Sequence, residues 1–304
     1  MKIVIAGATG FLGRPLTAAL LADGHDVVAL SRSGRAGVSG TRTVAWDPQR
    51  PAAPWAAELD DADGVVNLAG EPIADHRWTA ARKHRIEDSR VTATRRIAEA
   101  IAQSRRPAAV LVSGSGVGFY GRCGDEIVTE QTGAGSDFLA AVCRRWEAQA
   151  VTASSSATRV ACIRTGLVLA HDGGALAKML LPFRLGLGGR LGSGRQYWPW
   201  ITLQDEADAL AFLLRSGLEG PVNVCAPESA DVNTIVKALA KAYHRPAFCR
   251  VPRPALRLVL GKLADELVLA NQRMEPSRLA EAGFHWQHPS LAEAMEWLRR
   301  DTDH

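Results

Sequence analysis

The chain has 304 residues, 47% of them hydrophobic and 22% charged, and its 36 Lys and Arg against 32 Asp and Glu give a formal charge of +4. That balance excludes disordered, collagen-like and coiled-coil chains, and charges spread along the chain rather than gathered in one block give no footprint for nucleic acid. The length fits one large domain with a smaller lobe attached.

The first predicted element is the strand KIVIA, which runs directly into Gly7 with no small-residue cleavage site behind a full apolar stretch, so it reads as a strand and not a leader. Gly7, Gly10 and Gly13 then stand at G-x-x-G-x-x-G spacing, with Thr9, Phe11 and Leu12 between them, and the helical pattern RPLTAALLADG follows. The first glycine permits a tight turn, the second lets backbone approach a pyrophosphate, and the third lets helix and strand pack closely. The free N–H groups and positive dipole end of the helix favour an anion there. About the first 35 residues therefore read as a dinucleotide-binding βαβ unit.

The second strand, DVVALSR, ends in Ser31 and Arg32 where an NAD-selective site carries Asp or Glu for the ribose 2′-hydroxyl. Arg32, helped by Arg35, suits a 2′-phosphate, which makes NADP(H) the expected cofactor. A solvent-exposed arginine without a ligand is the alternative reading.

Further apolar runs, GVVNLAG, AVLVSGSG and VACIRTGLVLA, alternate with amphipathic stretches such as TATRRIAEAIAQ, the pattern of a parallel sheet covered by helices on both faces. The basic stretch from His76 to Arg106 reads as a solvated helix face. Gly-rich loops follow, and PVNVCAP near 221–227 looks like a strand returning to the sheet edge. The tail from Pro252 is mostly helical, with caps and breakers at Gly261, Pro276, Gly283 and Pro289 and LRLVLGKLADELVLA as an apolar helical stretch. The expected fold class is α/β, a doubly wound Rossmann sheet with a smaller C-terminal lobe. The NADP(H)-binding domain spans 1–165, and a substrate-binding lobe spans 166–304, including a helical extension over about 249–297. Five cysteines without a C-x-x-C pair and eight scattered histidines suggest reduced thiols and no metal. No run is long and apolar enough for a membrane span, so a cytoplasmic protein, monomeric or homodimeric, is expected.

GATGFLG, NLAGEPI, SRVTATRRI, SGSGVGFYG, RRWE, IRTGLVL and GSGRQYWPWI occur in the order seen in an atypical NAD(P)-dependent epimerase/dehydratase subfamily of the extended short-chain dehydrogenases/reductases, and the C-terminal segment resembles that subfamily's extension. The resemblance implies that Leu68, Ala69 and Gly70 lie along the cofactor and that Val112 and Ser113 lie near the nicotinamide. Typical members use Tyr-x-x-x-Lys for proton transfer. Here no tyrosine is followed by such a lysine: Tyr120, Tyr197 and Tyr243 have Gly124, Ile201 and Ala247 four residues on. Aligned on Glu147, Leu139 and Cys143 take the two places.

Ser115 remains where the superfamily keeps a substrate-orienting hydroxyl, although an SGSG turn also needs small residues for its backbone alone. Tyr120, at a strand's carboxyl end, is the candidate replacement acid, with packing as its competing role. Arg195, Gln196, Tyr197 and Trp200 form a candidate substrate wall or ordinary core. Thr202 stands where relatives carry His, while Asp205 is retained. Two functions follow: an NADP(H)-dependent epimerase/dehydratase-like oxidoreductase on a small polar substrate, sugar- or nucleotide-linked substrates included, or a non-catalytic NADP(H)-binding redox-sensing module.

Overall fold

The computed structural model describes residues 1–32, 34, 37–50, 54–174, 176–177 and 188–300. Seven strands form one sheet: β1 (Lys2–Ala6), β2 (Asp26–Ser31), β3 (Arg42–Ala45), β4 (Gly64–Asn67), β5 (Val110–Gly114), β6 (Arg159–Thr165) and β7 (Gly220–Val224). Their spatial order is β3-β2-β1-β4-β5-β6-β7. Every neighbouring pair is parallel. This is the doubly wound Rossmann arrangement, with the order reversing between β1 and β4.

Strands buried on both faces need apolar side chains on both, and β4 and β5 are buried at every position. One face is covered by helix α1 (Gly13–Ala22), whose Leu16 and Leu20 meet Ile3, Ile5 and Val66. The other is covered by α2 (Ala80–Gln103) and α3 (Phe138–Val151), with Ile97, Ile101 and Ala150 on Val4, Val65 and Leu111. Side-chain caps start both of the latter: Thr79 accepts from the Arg82 N–H at 3.1 Å and Asp137 from the Ala140 N–H at 2.9 Å.

The structure departs from the sequence reading in one strand. VACIRTGLVLA is not one strand. Gly166 donates its N–H to Val224 in the sheet, but Leu167 donates to Pro199 at 2.6 Å. The chain thereby leaves the sheet, and Leu167–Leu169 pairs with Trp200–Thr202 instead. A Cβ on Gly166 would lie 2.6 Å from the Pro199 oxygen, so only glycine permits the switch. At the sheet edge β7 holds the place expected for PVNVCAP, and α4 (Leu203–Arg215) packs Leu210, Leu213 and Leu214 into the cluster of α1 and β1, so both halves of the chain build the Rossmann layer. At the expected breaker Gly261, which has φ 64°, LRLVLGKLADELVLA divides into the helix Arg253–Leu260 and a π-helical turn Ala264–Val268.

The rest of the second half has its own core, in which Trp198, Trp200, Ile235 and Leu239 pack against Leu291, Met295 and Leu298 of the last helix, Leu291–Arg300. Among the described residues no helix is long and apolar enough to cross a membrane, and no group of three His, Cys, Asp or Glu gathers as a metal site.

Two neighbouring buried carboxylates at the start of α4 contrast in their partners. Thr202 caps the helix and donates to Asp205 at 2.8 Å, and Asp205 also accepts the backbone N–H groups of Gln287 at 2.6 Å and His288 at 3.1 Å. This ties the C-terminal segment to the Rossmann layer. Glu206 has only the Thr165 hydroxyl at 2.9 Å, and its Oε2 is buried without a partner among the described residues. Burial pushes the Glu206 carboxyl up from 4.5 to about 8, against the lowering effect of Thr165. The stability tied to its proton is thus full below 4.5 and is lost as pH rises through about 8.

Thermal unfolding should therefore separate the two. Asp205→Ala should lose about 3 kcal/mol, because it strands the buried N–H groups of Gln287 and His288. Glu206→Gln should gain on the wild type as pH rises from about 5 to about 9. A pH-independent gap between wild type and Glu206→Gln would contradict the isolation of Oε2.

Candidate functional site

The glycine turn is built at the carboxyl end of β1. Gly7 has φ 86°, and a Cβ there would come 2.9 Å from the Leu68 carbonyl. On Gly13 a Cβ would stand 2.1 Å from the Gly7 oxygen, so helix and turn touch backbone to backbone. The Gly10 N–H closes the turn on the Gly7 oxygen at 2.9 Å. No side chain caps α1 at Leu12. The Arg14 N–H is spent on the Gly10 oxygen at 3.1 Å and Pro15 has none, so what fits the pyrophosphate of a dinucleotide is the glycine turn itself with the positive end of the helix behind it.

Around this turn, Thr9, Phe11 and Leu12 are half-buried and Gly10 is exposed. Gly173 and Gly174 lie against the Phe11 ring, where a Cβ on either would come within 2.9 Å. The second half of the chain thus closes over the turn. On the β2 side Ser31 is buried, while Arg32 is exposed and has no hydrogen-bond or ion-pair partner among the described residues. Arg35 lies outside the described residues. At the end of β4, Leu68 and Ala69 are half-buried and Gly70 is exposed, held by Asn67, which accepts from the Ala69 N–H at 3.2 Å and donates to Thr94 at 2.7 Å.

Val112 and Ser113 are fully buried at the end of β5. Ser115, just beyond, is half-buried, and its hydroxyl donates to Glu147 of α3 at 2.6 Å. Glu147 is gripped by Arg164 of β6 through two bonds of 2.9 Å. The same guanidinium lies 3.4 Å from the Phe119 ring centre and donates to the Tyr120 oxygen at 2.9 Å. Burial opposes the Arg164 charge, but Glu147 holds it above its ordinary value.

Tyr120, the candidate replacement acid, is enclosed in this network. It is 3% exposed, and its hydroxyl donates to Asn223 at 2.6 Å while accepting from Arg164. Burial pushes the phenol up to about 12. Both hydrogen-bonding capacities face inward, so in this arrangement Tyr120 joins β7 to the β5 loop rather than facing a ligand. Asn223 is itself held by Glu130, which accepts its N–H at 3.0 Å.

Leu139 and Cys143 lie buried on α3, and burial together with Glu147 pushes the Cys143 thiol up to about 12. Neither offers a proton near neutral pH.

Of the substrate-side candidates, Arg195 is exposed and Tyr197 half-buried. Trp200 is fully buried in the second core and cannot form a wall. Gln196 is 5% exposed and spends its amide on the Leu191 and Val268 carbonyls, at 3.0 and 3.2 Å. It fastens the turn to the C-terminal extension. The alternation of aromatic and polar residues in this segment reflects a strand edge packing inward.

Sequence reasoning missed Arg90. The stretch read as a solvated face carries Arg82, Ile86, Arg90, Ala93 and Ile97 on its buried side. Spacings of three and four residues between them were the available signal. Arg82 bonds Glu71 and the Pro72 carbonyl.

Residues 3–225 match the profile of the NAD dependent epimerase/dehydratase family, and residues 251–298 match a domain of unknown function, DUF1731. The chain is 40% identical over 299 residues to the epimerase family protein Mb2239 of Mycobacterium bovis, covering 96% of both chains. It is 34% identical over 303 residues to the epimerase family protein YfhF of Bacillus subtilis, covering 99% of each. The crystal structure of human epimerase family protein SDR39U1 (isoform 2) with NADPH superposes with a TM-score of 0.91 at 33% identity, over 99% of this chain and 100% of that one.

Proposed function

The chain belongs to the NAD dependent epimerase/dehydratase family, and from that premise we propose that it is an NADP(H)-dependent oxidoreductase of epimerase/dehydratase type, acting on a small polar substrate, sugar- or nucleotide-linked compounds included. In this reading Ser115, oriented by Glu147, handles the proton that other members pass through Tyr and Lys. The Ser115–Glu147 hydrogen bond of 2.6 Å carries the reading.

Support for the cofactor comes from the glycine cradle, from the exposed Arg32 with no carboxylate beside it at the end of β2, and from the NADPH in the human relative. Bound NADP(H) supplies or accepts a hydride. Because the Ser115 proton points at Glu147, its oxygen lone pairs are left to receive a ligand hydroxyl. As that hydroxyl is oxidised, its proton passes to Ser115 and the serine proton to Glu147; reduction runs the same path backwards. Arg164 fixes Glu147 through two hydrogen bonds, so the serine stays oriented. Arg195 and Tyr197 are the substrate-side candidates that retain exposed surface.

A second reading, a redox-sensing module that binds NADP(H) without turnover, draws on the enclosed Tyr120 and on the buried Leu139 and Cys143. Nicotinamide absorbance followed with a panel of carbonyl and sugar-nucleotide compounds separates the two. If the chain is an enzyme, Ser115→Ala should lower turnover by about 100-fold or more. Tyr120→Phe should keep the rate and lose about 1–3 kcal/mol of stability. Binding with no turnover on any compound would favour the sensor, and loss of turnover in Tyr120→Phe alone would restore the tyrosine as the acid.

The 2′-phosphate reading is tested separately by isothermal titration. Arg32→Asp should weaken NADPH by about tenfold or more and leave NADH nearly unchanged. Equal loss for both would contradict it.

A further inference from the structure

Two arginines set side by side on paired strands repel each other unless something negative stands with them. Such a pair occurs in the second half of the chain. The strands Gly189–Leu191 and Cys249–Val251 run parallel, and their register places Arg190 beside Arg250. Residues in register point to the same face of a sheet, so the two guanidinium groups share one side. Both line a cavity of about 330 Å³, and Lys237 of the helix Val232–Ala242 lines it with them. Asn233, four residues before Lys237 and so on the same helix face, lines it too.

No acid answers these charges. Neither Asp nor Glu lines the cavity, and none occurs in the sequence from Gly173 to Gly189 or from Val232 to Ala264. Among the described residues the side chains of Arg190, Lys237 and Arg250 have no hydrogen-bond or ion-pair partner, and the Arg190 Nε is buried without an acceptor. Buried donors in native proteins are satisfied with few exceptions, so an orphaned Nε beside a cationic cavity calls for an oxygen-bearing anion in it.

The cavity also has an aromatic side. Phe248 is 84% exposed, more than any other large apolar side chain among the described residues, and it lines the cavity two residues before Arg250. Along an extended chain that spacing puts the ring on the side of the guanidinium groups. A flat partner would remove the ring from water by stacking. None of these residues belongs to the Rossmann sheet, the glycine turn or the Ser115 network.

We propose that this cavity is a second binding site, separate from the glycine turn, for a phosphate monoester that carries a planar ring. Its phosphate oxygens accept from Arg190, Arg250 and Lys237, the guanidinium forks being suited to bidentate contact, and its ring lies on Phe248. The site stands whether or not the glycine turn holds NADP(H).

Phosphorus NMR titration at low ionic strength tests this with two probes, phenyl phosphate and inorganic phosphate. The wild type should bind phenyl phosphate with a dissociation constant of about 1 mM or below, and inorganic phosphate more weakly. Arg190→Gln and Arg250→Gln should each weaken both probes by about tenfold or more, Phe248→Ala should weaken phenyl phosphate alone, and Arg32→Asp should change neither. Arg250 is exposed, so its replacement should leave the melting temperature unchanged and decides the matter even if Arg190→Gln fails to fold. No binding of phenyl phosphate by the wild type, or binding that survives Arg250→Gln, would overturn the proposal. Loss in Arg32→Asp in place of Arg250→Gln would put the phosphate at the dinucleotide turn and overturn it as well. Equal affinities for the two probes, unchanged by Phe248→Ala, would mark a site for a bare anion and overturn the planar-ring ligand.

Discussion

The buried pair of Arg164 and Glu147 is the contact on which the candidate site depends. It joins β6 to α3 through two hydrogen bonds, and each partner has a further duty at the site: Glu147 holds Ser115, and Arg164 holds Tyr120. Replacing a buried pair by matched apolar groups is often harmless, but removing one partner strands the other charge and costs about 3–5 kcal/mol. Here an apolar replacement would also release the serine. The pair is therefore better explained by what it positions than by what it adds to stability. Through Tyr120, Asn223 and Glu130 the same network reaches β7 and the segment near Arg278, whose N–H Glu130 accepts at 3.3 Å. The C-terminal part of the chain is thereby fixed relative to the end of β5.

Charge is distributed along the site in a way that separates binding from chemistry. On the β2 side there is an exposed arginine, suited to a screened contact with a phosphate that arrives with its own solvent. On the β4–β5 side stands the buried Arg90, packed over the Trp146 ring and against the Gly70 backbone. Between them the glycine turn contributes only backbone. The Tyr120 phenol and the Cys143 thiol are both pushed up to about 12 by burial, while the half-buried Ser115 keeps its hydrogen bond to Glu147.

What was legible in the sequence was what local geometry demands. Gly7 and Gly13 could be read because a tight turn and a close helix–strand contact forbid a Cβ whatever surrounds them, and the sheet could be read because strands buried on both faces must be apolar throughout. Long-range partnerships could not. Nothing near Tyr120 announces Asn223, 103 residues away, as the acceptor of its proton. VACIRTGLVLA is apolar enough to be one strand, and only the Pro199 carbonyl, brought close by folding, explains why it divides at Gly166. Arg90 is an intermediate case. Its helical register with Ile86 and Ala93 marked the inward face, but the density of arginines around it suggested solvent. Trp200 and Gln196 show the converse, residues of binding-site chemistry spent on packing.

The central claim is that a serine held by a buried ion pair, and not a tyrosine, faces the reacting end of the cofactor. A crystal structure of this protein with NADPH tests it most directly. The expected result is Ser115 Oγ within hydrogen-bond reach of the space above nicotinamide C4, still bonded to Glu147, with Tyr120 still joined to Asn223 and Arg164. A Tyr120 hydroxyl swung out of that network and directed at the nicotinamide, with Ser115 turned away, would contradict it.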